Sequence, residues 1–179
     1  MDKYRYGLNW LYAINNDNKY RYILGNLFNE GSNILVCFGV NPSTASPEKL
    51  DNTVNTVSRV AKINNYDGWI MFNIYPQRAT IPDNMEEEIN EIEHQNNLKI
   101  IKEILTTYNI KDVWFAYGNI IEKRKYLLNC LKEINIILKE LKIIPFTFTP
   151  LTNLGHPRHP LYIPFEVFRL ENKKHCFKL

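Results

Sequence analysis

Two histidines and an arginine lie close together in a proline-rich segment near the end of the chain. The segment "GHPRHPLYIP" carries His156, Arg158 and His159 among three prolines. Proline restricts the backbone, so a loop of this composition can hold its side chains in place at little entropic cost. A fixed cation beside two titratable imidazoles suits binding of a phosphate and stabilisation of developing negative charge. A metal site and a purely structural loop remain as alternatives.

A second polar group follows an apolar run in the segment "GVNPSTA". Gly39 permits close approach of a ligand or a sharp turn, and Pro42 fixes the backbone after Asn41. Ser43 and Thr44 supply hydroxyls and backbone donors for an anion or a water molecule. The alternative is a turn in which Asn41 and Ser43 only satisfy the backbone. Neither a phosphate-binding G-x-x-x-x-G-K-[ST] motif nor a dinucleotide-binding G-x-G-x-x-G motif is present.

The third and fourth polar groups follow later apolar runs. In "MFNIYPQRAT", Asn73 falls inside a predicted buried strand, where its amide must find partners. An amide offers the donors and the acceptor that reading a base edge requires, although a structural role is also open. Arg78 can pair with a phosphate, or with Asp51 or Asp83 in an internal ion pair. Gly118 ends the next strand in "YGN", after an aromatic residue.

The elements that must position these groups alternate between strand and helix. Four short apolar runs suit strands that are buried on both faces, as in a parallel sheet. Three helical patterns separate them, and the second of these covers an acidic start and the apolar stripe Ile100, Ile101, Ile104 and Leu105. Two aromatic-rich runs joined by "NNDN" predict a hairpin in the first thirty residues. The pattern predicts one α/β domain over residues 1–179, a three-layer α/β/α sandwich with a mostly parallel four-stranded central sheet and an N-terminal β-hairpin.

Ligands of parallel α/β sheets bind beyond the carboxyl ends of the strands. Each polar group above follows a predicted strand, so the four groups should meet at one edge. We therefore expect a single cleft bordered by Asn41, Asn73, Arg78, His156, Arg158 and His159.

Composition limits the possible classes of protein. The 179 residues are 45% hydrophobic and 23% charged, as in ordinary globular proteins, and the net charge of +3 permits a nucleic-acid partner without requiring one. Three cysteines without a C-x-x-C pair argue against a disulfide framework or a zinc knuckle, and Cys37 should be a buried free thiol. The sequence shows no apolar leader and no stretch of membrane-spanning length, so we expect a cytoplasmic protein. No cofactor or metal is predicted.

The assembled motifs resemble the domain of unknown function 1643 (DUF1643) family over roughly residues 4 to 163. The resemblance rests on "YRY", "NPSTA" followed by Asp51 and Thr53, "N-x-x-x-x-R-A-T", an aromatic-glycine strand end and "GHPRHPLY". The family name implies no activity.

The order of elements is also similar to that of the uracil-DNA glycosylase superfamily. By this resemblance "GVNP" would place Asn41 at the water-positioning site, and Asn73 would read the base edge. "HPRHPL" would correspond to the loop that stabilises the departing base, with His156 or His159 at the stabilising place and Leu161 as a wedge. This resemblance implies a glycosylase-like hydrolase that acts on a nucleobase in DNA or in a nucleotide. A non-catalytic nucleotide or nucleic-acid binding module is the alternative.

Overall fold

A computed structural model of the chain describes residues 3–29 and 31–175. The strands are β1 (Arg5–Tyr6), β2 (Trp10–Ile14), β3 (Arg21–Leu27), β4 (Ile34–Gly39), β5 (Gly68–Asn73), β6 (Asp112–Phe115), β7 (Phe146–Thr147) and β8 (Lys174–His175). The helices are α1 (Asn52–Ile63), α2 (Glu91–Thr107) and α3 (Lys125–Glu140). The proline-rich segment 155–164, which carries the two histidines, is called the late histidine loop. It contains a 3₁₀ turn at Pro160–Tyr162.

All of the strands join one eight-stranded sheet in the order β1-β2-β3-β5-β4-β6-β7-β8. The central strands β5, β4, β6 and β7 are parallel, while β3 and β8 add to them antiparallel at either side. The predicted mixed α/β architecture with a mostly parallel centre is confirmed. The predicted count of four strands is wrong, because β1, β2 and β3 extend the sheet at one side and β8 extends it at the other. Strand β3 pairs with β5 from Leu24 and Met71 to Leu27 and Gly68.

Helices cover both faces of the sheet, which explains why the central strands are mostly apolar on both faces. On one face the valines of α1 pack against Cys37, Trp69 and Trp114. On the other face α2 and α3 pack against alternate residues of the same strands, including Val36 and Phe72. Every residue of β4 and β5 is buried as a result.

The helices α1 and α2 begin where side chains cap them. Asp51 Oδ1 accepts the Val54 N–H 2.9 Å away at the start of α1. Asn90 caps α2 in the same way, so α2 begins at Glu91. The predicted helix included an acidic segment from Ile81, and this start is wrong. In this segment Glu86 instead turns inward and accepts hydrogen bonds from the buried Tyr20 and Tyr75.

The structure can be compared directly with two predictions made from composition. Cys37 is a free, fully buried thiol, as predicted, and burial raises its pKa well above the usual value. Cys130 is also free and buried, whereas Cys176 lies outside the described residues. Within residues 3–29 and 31–175, no helix is both long and apolar enough to cross a membrane.

Candidate functional site

A cavity of about 450 Å³ opens at the carboxyl edge of the parallel strands. Its walls come from the segment after β4, the first turn of α1, and Ala79 and Thr80 after β5. Tyr117 and Ile120 after β6 and the late histidine loop close the remaining side. Seven of the residues predicted for the site line this cavity: Gly39, Asn41, Ser43, Thr44, Asp51, His159 and Leu161.

Gly39 ends β4 at the floor of the cavity. A side chain at this position would bring its Cβ within 2.8 Å of Met71 Cε and 3.0 Å of Asn73 Nδ2. The missing side chain therefore leaves space in front of the Asn73 amide. The close approach of a ligand predicted for Gly39 would need this space.

Asn41 is held in one orientation by the backbone around it. Its Nδ2 donates to the carbonyl oxygens of Ala79, 2.7 Å away, and Pro42, 3.1 Å away. Pro42 O also accepts the Ala79 N–H, which ties the loop after β4 to the segment after β5. Because both donors of Asn41 face carbonyl groups, its Oδ1 remains as an acceptor at the cavity wall.

Asn73 is locked by a residue that the sequence analysis missed. Asn73 is 2% exposed, and its Oδ1 accepts a hydrogen bond from Arg21 Nη2 at 3.2 Å. Its Nδ2, behind Gly39, has no hydrogen-bond partner among the residues that the structure describes. Arg21 is itself fully buried, and this burial, followed by the charge of Arg78, lowers its pKa to about 10. Asn73 is thus oriented as a donor.

His159 presents a neutral ring to the cavity. Its Nδ1 accepts the Leu161 N–H at 3.3 Å, so the neutral ring carries its proton on Nε2. Burial lowers the pKa of His159, and the nearby Asp51 carboxylate opposes this only in part. Gly118, with φ of +66°, lets the loop after β6 approach to within 3.2 Å of His159 Cβ, measured from an ideal Gly118 Cβ. The Gly118 N–H also donates to Pro157 O at 2.9 Å.

His156, three residues earlier, lies in different surroundings. Its Nε2 is 2.7 Å from Glu122 Oε1, and its backbone N–H donates to Thr152 Oγ1. It does not line the cavity, and neither does the exposed Arg158. The structure thus separates the two histidines that the sequence could not rank.

Arg78 holds the loop after β4 in place through hydrogen bonds to its backbone. Its guanidinium donates to the Ser43 and Ala45 carbonyl oxygens and to the Tyr12 hydroxyl. The alternative of an internal ion pair required Arg78 to pair with Asp51 or Asp83, and it pairs with neither. Asp83 pairs with Lys123 instead. Arg78 lines a smaller, neighbouring cavity.

The expected single cleft is therefore assembled only in part. Asn41 and His159 face one cavity, and Asn73 lies directly behind its floor. Asp51 is the only carboxylate among the lining residues, and the exposed Leu161 lies at the rim. No group of three histidine, cysteine, aspartate or glutamate side chains within 3–29 and 31–175 is arranged to hold a metal ion.

Comparison with known proteins is informative at the level of the family. A search of curated proteins gives no significant match. The family described as "Protein of unknown function (DUF1643)" matches residues 21–161, which include Arg21 and every residue predicted for the site. That span is well over half of the chain, and so the protein belongs to the DUF1643 family.

Proposed function

We propose that this protein binds a nucleobase-containing ligand, DNA or a nucleotide, and hydrolyses its N-glycosidic bond. The observation that carries the proposal is the pair Asn41 and His159. Hydrogen bonds with the backbone leave an acceptor, Asn41 Oδ1, and a donor, His159 Nε2–H, at the wall of the same cavity. An acceptor that orients water and a donor that stabilises a departing anion are the two groups that such a hydrolysis needs.

In the proposed reaction Asn41 Oδ1 accepts a hydrogen bond from a water molecule, whose oxygen attacks the sugar carbon of the glycosidic bond. The bond to the base nitrogen breaks, and its electron pair leaves with the base. His159 Nε2–H donates a hydrogen bond to the base as negative charge develops there. Asp51 takes the proton lost by the water, because it is the only carboxylate lining the cavity. The departing base is then protonated by solvent.

The size of the cavity favours a single base. A volume of about 450 Å³ can hold a nucleobase but not a base pair within a duplex. If the substrate is duplex DNA, its base must therefore leave the stack to enter. A free nucleotide would enter without this step.

Asn73 favours bases with a carbonyl group. With Oδ1 held by Arg21, only Nδ2 is available to a ligand that reaches the space beside Gly39. The carbonyl oxygen O4 of uracil or thymine, or O6 of hypoxanthine, can accept this bond, whereas the amino group that cytosine or adenine carries at the same position cannot. Leaving the buried donor unpaired would cost about 1–3 kcal/mol.

The test is release of free base from oligonucleotides with modified bases and from nucleoside monophosphates, followed by chromatography. Asn41→Ala should lower turnover about 100- to 1,000-fold. It should change ligand affinity less than about tenfold, because positioning a water assists the transition state rather than ground-state binding.

His156→Gln is the matched control, because it alters the same loop outside the cavity, and it should keep its turnover. Equal losses of affinity and turnover in Asn41→Ala would contradict the proposed role of this residue. Ligand binding without base release by the wild-type protein would instead identify a binding module.

A further inference from the structure

Two arginine side chains converge under the loop after β4. Arg21 Nη1 donates to Ala45 O at 3.1 Å, and both Nη atoms of Arg78 donate to the same oxygen at 3.3 Å. Arg21 is 2% exposed and Arg78 is partly buried. Neither guanidinium has an ion-pair partner in the described ranges 3–29 and 31–175.

This arrangement concentrates positive charge in a region of low solvent access. Burial and the charge of Arg78 lower the pKa of Arg21 to about 10, so Arg21 is still charged at neutral pH. Asp51 acts on Arg21 only through space, and no hydrogen bond joins the two among the described residues. Buried charges are normally paired, because removing an ion from water is costly. A bound anion would offset the cost here.

A cavity of about 370 Å³ lies where such an anion would be needed. Arg78 lines it together with the hydroxyl groups of Tyr12, Ser43, Thr44 and Thr80. Ser43, Thr44 and Thr80 line the larger cavity as well, so the two cavities share a wall. A ligand with its base in the larger cavity can extend an attached group into the smaller one.

The hydroxyl groups still have protons to donate. The Tyr12 hydroxyl accepts from Arg78 Nη2 at 2.9 Å, which leaves its own O–H free for another acceptor. Ser43 Oγ and Thr80 Oγ1 are 3.1 Å apart and use one proton between them, so the other remains available. The Nη atoms of Arg78 are occupied, whereas its buried Nε has no partner among the described residues. Arg78 therefore offers a ligand its charge and this one remaining donor. The carboxylate that contacts this lining, Glu48, is exposed and is bonded to Ser46 and Tyr6.

We propose that this smaller cavity is a phosphate subsite, in which the hydroxyls of Tyr12, Thr44 and Thr80 donate to phosphate oxygens and the two arginines supply the balancing charge. Its role as part of a nucleotide or nucleic-acid site rests on the proposed function. Its affinity for phosphate does not, because phosphate contains neither a base nor a glycosidic bond.

Calorimetric titration with inorganic phosphate tests the subsite alone. Tyr12→Phe and Thr80→Val each remove one hydroxyl and keep the shape of the side chain. Each should weaken phosphate binding about tenfold, the effect of losing one hydrogen bond to a charged group. Arg59→Gln is the control: Arg59 is exposed and stacks on Phe165, 4.0 Å from the ring centre, away from this cavity. It should bind phosphate like the wild type.

Melting temperatures of the same variants will verify that each one folds. Phosphate binding that is unaltered by both hydroxyl substitutions, or absent from the wild type at millimolar concentration, would overturn the subsite.

The source of the phosphate is read from two further titrations. Tighter binding of a nucleoside 5′-monophosphate than of a trinucleotide without terminal phosphates would identify a free nucleotide as the ligand. The reverse order would identify the phosphodiester backbone of a nucleic acid. Both titrations use affinity alone, so a lack of base release in the activity assay would leave them interpretable.

Discussion

Two consecutive residues, Tyr20 just before β3 and Arg21 at its start, belong to two polar clusters of opposite character. Tyr20 joins Lys19 and Tyr75 around the carboxylate of Glu86, with distances of 2.6–2.9 Å to its oxygens. The next residue, Arg21, joins Arg78, with no carboxylate bonded to either among the described residues. In the Glu86 cluster (Lys19, Tyr20, Tyr75 and Glu86) the charge of Lys19 balances the carboxylate, and three side chains donate hydrogen bonds to its oxygens. The arginine pair (Arg21 and Arg78) has no such balancing charge bonded to it in the described part of the chain, and it lies beside the candidate site.

The comparison suggests a criterion for separating structural from functional polar groups in this fold. A cluster whose charges and donors are matched internally stabilises the chain and offers little to a ligand. A cluster that retains charge or unused donors at a cavity has binding capacity.

The largest effect on stability should follow from breaking the Glu86 cluster. Glu86→Ala would leave the Tyr20 and Tyr75 hydroxyls without their acceptor in a partly buried place. We expect the free energy of unfolding to fall by about 2–4 kcal/mol, with phosphate affinity unchanged. Urea denaturation and calorimetry on the same sample measure both quantities. A stable Glu86→Ala variant with weakened phosphate binding would reverse the roles assigned to the two clusters.

The contribution of Glu86 also has a defined pH dependence. Burial raises its pKa, but hydrogen bonds from Lys19, Tyr20 and Tyr75 outweigh burial and lower it below the usual value. A carboxyl group with a lowered folded-state pKa stabilises the protein fully above its unfolded pKa, about 4.3, and loses this effect as the pH falls through the folded pKa. In Glu86→Ala the acid-induced loss of stability should therefore be smaller than in the wild type.

A smaller effect, confined to activity, should follow from replacing one histidine of the late loop. His159→Gln should lower turnover about 10- to 100-fold, because a donor at the cavity is displaced. His156→Gln should leave turnover intact, since His156 contacts Glu122 outside the cavity. The two variants differ in position but not in chemistry, so similar losses in both would show that the loop acts only as a scaffold.

The pH profile of the wild type refines this prediction. The pKa of His159 lies below its ordinary value, because burial disfavours the charged ring. The neutral ring therefore persists to pH values below about 6.5. Protonation at lower pH places a hydrogen on Nδ1 and breaks its bond with the Leu161 N–H, which orients the ring, so activity should decline only there. His159→Gln should lack this acidic limb. If its limb coincides with that of the wild type, another group controls the reaction.

The smallest effect should come from Arg158, which is exposed and lines neither cavity. Arg158→Ala should leave melting temperature unchanged. If Arg158 contacts the backbone of a nucleic acid, the plot of log affinity against log salt should lose about one unit of slope. An unchanged slope would restrict phosphate recognition to the arginine pair.

Much of the architecture could be predicted from local patterns. The apolar runs identified the central strands because these are covered on both faces, and three helical patterns were recognised between them. The hairpin was recognised, but its place in the sheet depends on pairing with β5, which local alternation does not encode. The start of α2 was predicted too early, because the inward turn of Glu86 depends on tyrosines that are distant in sequence.

The candidate site shows the same division between local and long-range information. Gly39, Asn41 and His159 carried signals in their own segments and do line one cavity. Arg21 lies in an aromatic strand pattern and became notable only when its bond with Asn73 was known. A charged residue within "KYRYILG", a run otherwise suited to burial, was the available signal for it.

The central claim is that a nucleobase ligand occupies the cavity beside the arginine pair and leaves the Glu86 cluster untouched. Backbone amide NMR during titration with deoxyuridine 5′-monophosphate tests it most directly. We predict saturable shifts at Asn41, Thr80 and His159, with none at Glu86 or at Asn90, whose N–H bonds the Tyr75 hydroxyl. Shifts centred on the Glu86 cluster, or no saturable shift at millimolar ligand, would contradict the account.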